Sequence, residues 1–446
     1  MKKIISFVVF LSAVIAIGIY NQSKGPIVEP NDYQSFMTKD HLAKESERLS
    51  GEIGFWEYKL AGEPGNFVFE KKLAGLFARR FKITGNPYDI YLSDSLLNSI
   101  NQRIPGQVGV LHSLAANAIT RHAFREAEGY ITEAYEKGEK RFASSLILVD
   151  VLLERGQFFS ANHFLQDVAS DSHFDYLIRD VKFQDQQGDL EKAIDQMEKA
   201  LAKAMESGND GLVNWSLSNL ADMYGHDGQI KKSYNTYLKA LTCDPADLHS
   251  LKGIAWIAFS HDKNTVEARR ILKFLKSIHP VPDYDLMLAE IAQFENDEET
   301  ATALEKQFIA EASKPVYGNM YKTYLCDLIS ETPDAMAIAK AEIEERPHPM
   351  SYDLMAWVSF QNGDLKTAVE ITKNHVLGQT SEPVALFHSG IILKEAGQYD
   401  KAEKYLEEAL EAAFELGPVA TEEIKQHLVD LNPKAWPLAN RSTRTN

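Results

Sequence analysis

Apolar side chains recur at helical spacing along most of the chain, most clearly between residues 351 and 414. In that stretch one pattern occurs twice: apolar positions three and four apart, a glycine, and a second set with the same spacing. Each copy is therefore predicted to be a helix, a tight turn at the glycine and a second helix. Three positions of the two copies correspond at a distance of 34 residues: Ala356 with Gly390, Gly363 with Gly397, and Ala368 with Ala402.

The turn position recurs at steps close to 34 residues, mostly at residues that tolerate the left-handed backbone of such a turn. The predicted turn residues are Gly85, His122, Gly156, Gly188, Gly228, Asp262, Asn296, Ser330, Gly363 and Gly397. A small residue precedes most turns by seven positions, and another follows by five, as Ala115 and Ala127 do around His122. These positions face each other across a hairpin, where a large side chain would push the two helices apart. The sequence thus predicts about ten stacked helix hairpins.

This period and these small positions resemble the tetratricopeptide repeat, whose period is 34 residues. The resemblance covers residues 66–416 and is strong in the fifth copy and the last two. It implies an all-α fold, a right-handed superhelix (an α-solenoid), and a scaffold that binds proteins or peptides and carries no catalytic residues. The segment Phe55–Leu60, followed by Pro64 and Gly65, is also similar to the leading segment of exported bacterial members of this group.

Proline, glycine and polar residues divide the chain into segments. We expect a flexible tether before the array, a capping helix at each end of it, and a flexible joint at the Gly- and Asn-containing loop 207–211. The repeat boundaries around residues 311–346 are the least defined. The predicted order is an N-terminal hydrophobic segment (1–20), a tether (21–37), a leading capping helix (38–65), two halves of the array (66–208 and 212–416), a C-terminal capping helix (417–432) and a loose tail (433–446).

The N-terminus carries a pattern typical of export. Lys2 and Lys3 precede a mostly apolar run from Ile4 to Tyr20, which indicates a segment that enters a membrane with its N-terminus inside. Its length lies between that of a signal core and that of a full span, so a cleaved signal peptide and an uncleaved membrane anchor both stay open. In either case the rest of the chain is expected outside the cytoplasm, in the periplasm or secreted. An uncleaved anchor would also tether it to the inner membrane.

Motifs for catalysis and for cofactor or metal binding are absent from the sequence: it has no Gly-rich phosphate loop, no nucleophile elbow and no His/Cys cluster with zinc spacing. We therefore predict no catalytic, cofactor-binding or metal-binding residue and no enzyme. The net charge of −17 disfavours nucleic acid as a partner, because binding to phosphates needs clustered Lys and Arg. Cys243 and Cys326 lie far apart, and the sequence does not decide whether they pair.

A curved surface is what such an array offers a partner. The first helix of each unit lines the concave face in proteins of this kind, and aromatic side chains there suit a binding hot spot, although filling the core between units is the other interpretation. The leading hypothesis is a groove that holds a protein or peptide; the alternative is a helical-repeat glycan-binding protein or hydrolase that uses groove carboxylates and aromatics. The predicted groove residues are Trp215, Asp222, Lys252, Trp256, Phe259, Asp353, Trp357, Phe360, Phe387 and Lys394.

Overall fold

The structure is a computed structural model and describes residues 25–433 together with residue 436. The described residues form helices joined by short loops, with no β-strand. The α-helices in chain order are α1 (Pro30–Tyr33), α2 (Asp40–Gly62), α3 (Phe67–Thr84), α4 (Pro87–Arg103), α5 (Val108–Thr120), α6 (Phe124–Glu136), α7 (Arg141–Glu154), α8 (Phe158–Asp167), α9 (Phe174–Gln186), α10 (Leu190–Ser207), α11 (Asp210–His226), α12 (Ile230–Cys243), α13 (Leu248–Trp256), α14 (Thr265–Ile278), α15 (Asp283–Phe294), α16 (Glu298–Ala312), α17 (Lys322–Leu328), α18 (Pro333–Glu345), α19 (Pro349–Gln361), α20 (Leu365–Ile371), α21 (Pro383–Glu395), α22 (Tyr399–Glu411) and α23 (Ala413–Leu431).

Helices α3 to α22 form ten hairpins, which we call units one to ten. Unit one is α3 with α4, unit two is α5 with α6, and the series continues in chain order to unit ten, α21 with α22. The two helices of a unit pack on each other, and each second helix packs on the first helix of the next unit. The predicted all-α solenoid of stacked hairpins is therefore confirmed.

The turn inside a unit uses the left-handed backbone in nine of the ten units. His122, the weakest candidate in the sequence, adopts it with φ 54°. In unit six the left-handed residue is Lys263, with φ 55°, and not Asp262 as predicted. The reason is a π-helical turn over Ile257–His261, which inserts one extra residue before the turn. The same insertion explains why the small residue that follows this turn, Ala268, comes one position late.

The small positions lie in the middle of the hairpins, where the two helices come closest. Ala115 and Ala127 of unit two are fully buried, as are Ala356 and Ala368 of unit nine. At Gly390 of unit ten, an added Cβ would stand 2.6 Å from Cγ of Leu406. No larger side chain fits there without separating the helices.

The hydrophobic core continues through the loop 207–211, where the sequence indicated a flexible joint. One cluster of buried side chains contains Met197 and Ala200 before the loop and Leu220 and Tyr224 after it. Because these apolar contacts bridge the loop, units four and five pack on each other like any other neighbours. The array therefore has no break between the two predicted halves.

Successive turns of the superhelix touch each other along a line that we call the seam. The turn end of each of units one to five contacts a loop farther along the array. Unit one meets the loop after unit six, and each following unit meets the next such loop. Asn319 donates a hydrogen bond to the carbonyl oxygen of His122 (3.2 Å), and Arg346 forms an ion pair with Glu154 (3.0 Å). The pairs of segments along the seam are Gly85 with His279 and Val281, His122 with Asn319, Gly156 with Pro347 and His348, Gly188 with Ser381, and Gly225 with Phe414.

Glycines permit the close approach at the seam. An added Cβ at Gly156 would lie 2.7 Å from the carbonyl oxygen of Pro347, and one at Gly188 would lie 2.7 Å from Oγ of Ser381. Both glycines also have positive φ, so the turn geometry and the contact across the seam select the same residue.

Residues 25–37 pack against the array, although the sequence indicated a flexible tether over residues 21–37. The carboxylate of Asp262 accepts hydrogen bonds from the backbone N–H of Ile27 (3.0 Å) and of Val28 (2.9 Å). Tyr33 is completely buried, and its hydroxyl accepts a hydrogen bond from Arg270 (3.0 Å). We call residues 25–37 the strap; it lies across the second helices of units five and six. Residues 1–24, which include the predicted export segment, lie outside the described residues.

A helix lies at each end of the array. At the N-terminal end, α2 buries Leu49 and Ile53 against α3. At the C-terminal end, α23 is interrupted at Gly417 (φ 79°, ψ 173°) and buries Ile424 and Leu428 against unit ten. Trp436 packs on the same cluster; the sequence indicated a loose tail over 433–446 from which this tryptophan could fold back.

Unit eight is the least regular hairpin, in the region where the sequence left the boundaries open. Its first helix, α17, has only seven residues and follows a 3-10 turn at Pro315–Tyr317. Cys326 is buried in this helix and Cys243 ends α12; both are free thiols.

Candidate functional site

The first helices of the units carry the predicted groove residues, and the structure separates these residues into three groups. The first group is buried in the core between units. Phe259 is 2% exposed, Phe387 is 8% exposed and the carboxylate-bearing Asp353 is 3% exposed. For these residues the structure favours the core interpretation, because a partner in the groove would not reach them.

The second group lies beneath α23. This helix contacts the first helices of units five, seven and ten and the π-helical turn of unit six. The indole N–H of Trp256 donates a hydrogen bond to the carbonyl oxygen of Phe414 (3.0 Å). Lys394 Nζ forms an ion pair with Asp430 (3.1 Å). Part of the concave face is thus occupied by a segment of the same chain.

Trp357 and Phe360 pack on the cluster that α23 completes. The Trp357 ring stacks on the ring of His388 with centroids 4.1 Å apart and planes 7° apart. Nδ1 of His388 lies 2.9 Å from Oδ2 of Asp353. Burial opposes the charged form of His388, but the carboxylates of Asp353 and Asp327 outweigh burial and raise the pKa of this imidazole. His388 and Asp353 thus form a buried hydrogen-bonded pair inside the stack of units eight to ten.

The third group, Trp215, Asp222 and Lys252, stays accessible at units five and six. Trp215 is 40% exposed and meets Phe174 of unit four edge to face, with ring centroids 6.1 Å apart. Asp222 accepts a hydrogen bond from the hydroxyl of Tyr237 and lies 2.7 Å from Nε2 of His249. An exposed tryptophan beside a second aromatic ring is the kind of anchor on which interfaces depend.

A carboxyl group with a strongly shifted pKa lies in the groove but is covered. Burial raises the pKa of Glu290 to about 7, and the nearby Lys263 offsets this only in part. An added Cβ at Gly417 of α23 would collide with the Glu290 carboxyl. A raised pKa is what a general acid requires, but α23 packs directly on this partly exposed group.

A positive cluster that was not predicted from the sequence lies near the N-terminal ends of α3, α5 and α7, the first helices of units one to three. An added Cβ at Gly109 would lie 2.8 Å from Nζ of Lys71 and 3.8 Å from Nζ of Lys140, so the two ammonium groups converge over this glycine. Nε2 of His112 lies 2.8 Å from Oγ of Ser144 in the same place. We call Lys71, His112 and Lys140 the cationic cluster.

The sequence held a signal for this cluster. Helix α3 contains a single acidic residue, Glu70, against five basic residues: Lys71, Lys72, Arg79, Arg80 and Lys82. The net charge of the whole chain concealed this local excess, and Lys140 joins the cluster only through the packing of unit three on unit two.

Two absences apply to the part of the chain that the structure covers. No three of its His, Cys, Asp or Glu side chains are grouped so that they could hold a metal ion. Within residues 25–433, no helix combines the length and the apolar character that crossing a membrane requires.

The stacked hairpins and their open concave stretch define a helical-repeat scaffold, a class whose curved surfaces bind other proteins. Residues 384–415, which include nearly all of unit ten, match the tetratricopeptide repeat family model. The chain therefore contains a tetratricopeptide repeat at unit ten, and the other units repeat the same two-helix architecture. A comparison with curated protein sequences finds no match.

Several solved structures are similar to the chain at low identity. A human IFIT1 dimer with m7Gppp-AAAA has 12% identity, with a TM-score of 0.46 over 75% of this chain and 77% of that one. A tetratricopeptide repeat protein from Parabacteroides merdae has 17% identity, with a TM-score of 0.34 over 59% and 99%. Yeast Tom70 has 13% identity, with a TM-score of 0.33 over 91% and 96%. Similarity at this level says nothing about what this chain binds.

Proposed function

We propose that this protein is a non-catalytic scaffold that binds a protein or peptide along the concave face of units one to six. The observation that carries the proposal is the exposure of Trp215 beside Phe174, while the groove aromatics of units six to ten are buried or lie under α23. A large apolar ring held open to solvent on a concave surface offers contact area at a small entropic cost.

The covered half of the groove supports the same placement. Trp256, Phe360 and Lys394 already have partners in α23 or in the cluster that it completes. A partner that bound there would have to displace a helix that buries Ile424 and Leu428. Binding at the open stretch requires no such loss of buried apolar contacts.

Substitution of the accessible tryptophan tests the proposal. The wild-type protein and Trp215→Ala are used as bait in a pull-down at native salt, with Tyr399→Ala as the control. Tyr399 is 61% exposed on α22, a second helix outside the concave face. We expect Trp215→Ala to lose the partner at an unchanged melting temperature and Tyr399→Ala to retain it. Retention of the partner by Trp215→Ala, or turnover of a sugar substrate by the wild type, would overturn the proposal.

We further propose that the scaffold works outside the cytoplasm, either secreted or held at the inner membrane by its N-terminal segment. The support is the sequence of that segment: Lys2 and Lys3 followed by the apolar run from Ile4 to Tyr20. Cell fractionation and a mass measurement of the mature N-terminus test both parts. A cytoplasmic protein that retains residues 1–20 would contradict the proposal.

A further inference from the structure

The two lysines of the cationic cluster lack counter-charges. Among the described residues, neither Lys71 nor Lys140 forms an ion pair with a carboxylate, although the chain carries 64 Asp and Glu residues. The acid next to Lys71 in sequence, Glu70, is buried and paired with Arg103 instead. Two ammonium groups that converge over Gly109 repel each other, and the repulsion is relieved when an anion lies between them.

The position of the cluster fits a ligand in the groove. Because Gly109 has no side chain, the ammonium groups of Lys71 and Lys140 can lie in the space next to α5. Burial lowers the pKa of His112, and the charges of Lys140 and Lys71 lower it further. The ring is therefore neutral at neutral pH, and the two ammonium groups carry the positive charge. Farther along the groove, Trp215 and Phe174 provide an apolar surface.

We propose that the cationic cluster binds the Asp and Glu side chains of an acidic segment of the partner protein. This inference rests on the proposed scaffold function and adds the chemistry of the partner. Acidic side chains would lie between Lys71 and Lys140, and an apolar side chain of the same segment would contact Trp215. The site takes side-chain carboxylates rather than a chain end.

Nucleic acid fits this surface less well than an acidic peptide. Tight binding to a nucleic acid requires many phosphate contacts, whereas only two ammonium groups converge here. The whole chain has a net charge of −17 and therefore repels a long polyanion. A short acidic peptide carries few charges and also brings apolar side chains for the aromatic part of the groove.

Fluorescence anisotropy with defined peptides tests the proposal. The probe is a labelled peptide in which Glu and Leu alternate, and its counterpart has Gln at every Glu position. We expect the full-length protein to bind the Glu peptide about tenfold more tightly than the Gln peptide, with an affinity that falls as salt rises. The result should be the same with a free and with an amidated C-terminus.

Charge reversal at the cluster supplies the second arm. Lys71→Glu/Lys140→Glu should weaken binding of the Glu peptide by about tenfold or more and should leave the melting temperature unchanged or higher. The control Lys401→Glu/Lys404→Glu reverses two exposed lysines on α22 and should bind like the wild type. The proposal is overturned if the Glu and Gln peptides bind alike, if Lys71→Glu/Lys140→Glu binds like the wild type, or if oligo(dT) competes as well as the Glu peptide. If these peptide-binding predictions fail while Trp215→Ala still loses the partner, the scaffold function stands. Only the proposal that the partner segment is acidic is then wrong.

Discussion

The indole N–H of Trp256 donates a hydrogen bond to the carbonyl oxygen of Phe414, and 158 residues separate the two in sequence. Ser260, one turn farther along, donates to the same oxygen (2.6 Å). These bonds join unit six to the beginning of α23, one turn of the superhelix away. A residue that the sequence analysis assigned to the binding groove thus holds the fold together.

Substitution of the two tryptophans should separate structure from binding. Trp256→Ala removes a partly buried ring and its hydrogen bond to Phe414, and we expect it to lower the free energy of unfolding by about 3 kcal/mol. Trp215→Ala removes a ring that is 40% exposed and should cost less than about 1 kcal/mol. Urea denaturation followed by circular dichroism measures both. Equal losses would mean that Trp215 is also part of the core.

The seam should open when a side chain is added at its tightest point. Gly156→Ala places a Cβ 2.7 Å from the carbonyl oxygen of Pro347. Because this oxygen belongs to the backbone, it can move away only if the chain itself shifts. We expect loss of the contact between turns and a larger radius of gyration in small-angle X-ray scattering. The left-handed turn adds a strain of about 1 kcal/mol to the destabilisation.

Gly397 provides the matched control for the seam. It occupies the same turn position in unit ten with φ 73°, but an added Cβ there meets nothing within 4 Å. Gly397→Ala should therefore show the same backbone strain of about 1 kcal/mol without any change in radius of gyration. If both variants expand, or neither does, the contact between Gly156 and Pro347 does not hold the turns together.

The strap should detach when its carboxylate clamp is removed. Asp262→Ala deletes the acceptor of the two backbone hydrogen bonds from Ile27 and Val28. Because two N–H groups lose their partner, we expect a loss of about 1–3 kcal/mol and faster amide exchange across residues 25–37. Hydrogen–deuterium exchange with mass spectrometry measures this. Asp227→Ala, an exposed aspartate at the end of α11, should leave the exchange unchanged, and protection that persists in Asp262→Ala would rule out the clamp.

Stability should depend on pH through Glu290. Burial raises the pKa of this carboxyl in the folded state to about 7, above the value of an unfolded chain, so the folded state binds a proton more tightly. Its contribution is fully present at acidic pH and is lost as the pH rises through about 7. Glu290→Gln removes that loss, so the variant should gain melting temperature relative to the wild type at pH 8 and not at pH 5. A constant difference between the two proteins at both pH values would contradict the shift.

The sequence by itself determined the local architecture. Helical periodicity, small residues at two fixed offsets and a left-handed turn residue every 34 positions specify each hairpin, because all three features act within one unit. His122 shows the strength of this constraint, since it takes the left-handed conformation despite its side chain. The pattern also predicted the order of stacking, because a unit can bury its second apolar face only against its neighbour.

Only the tertiary structure decided which parts of the concave face are open. The seam, the strap and the cover formed by α23 join residues that lie far apart in the chain, and no periodicity records such contacts. Periodicity reports which face of a helix is apolar, not which later segment packs on that face. The pattern thus places both Trp215 and Trp256 on first helices as groove residues, yet one is open to a partner and the other is bound to Phe414. The convergence of Lys71 and Lys140 over Gly109 likewise exists only once units one to three are stacked.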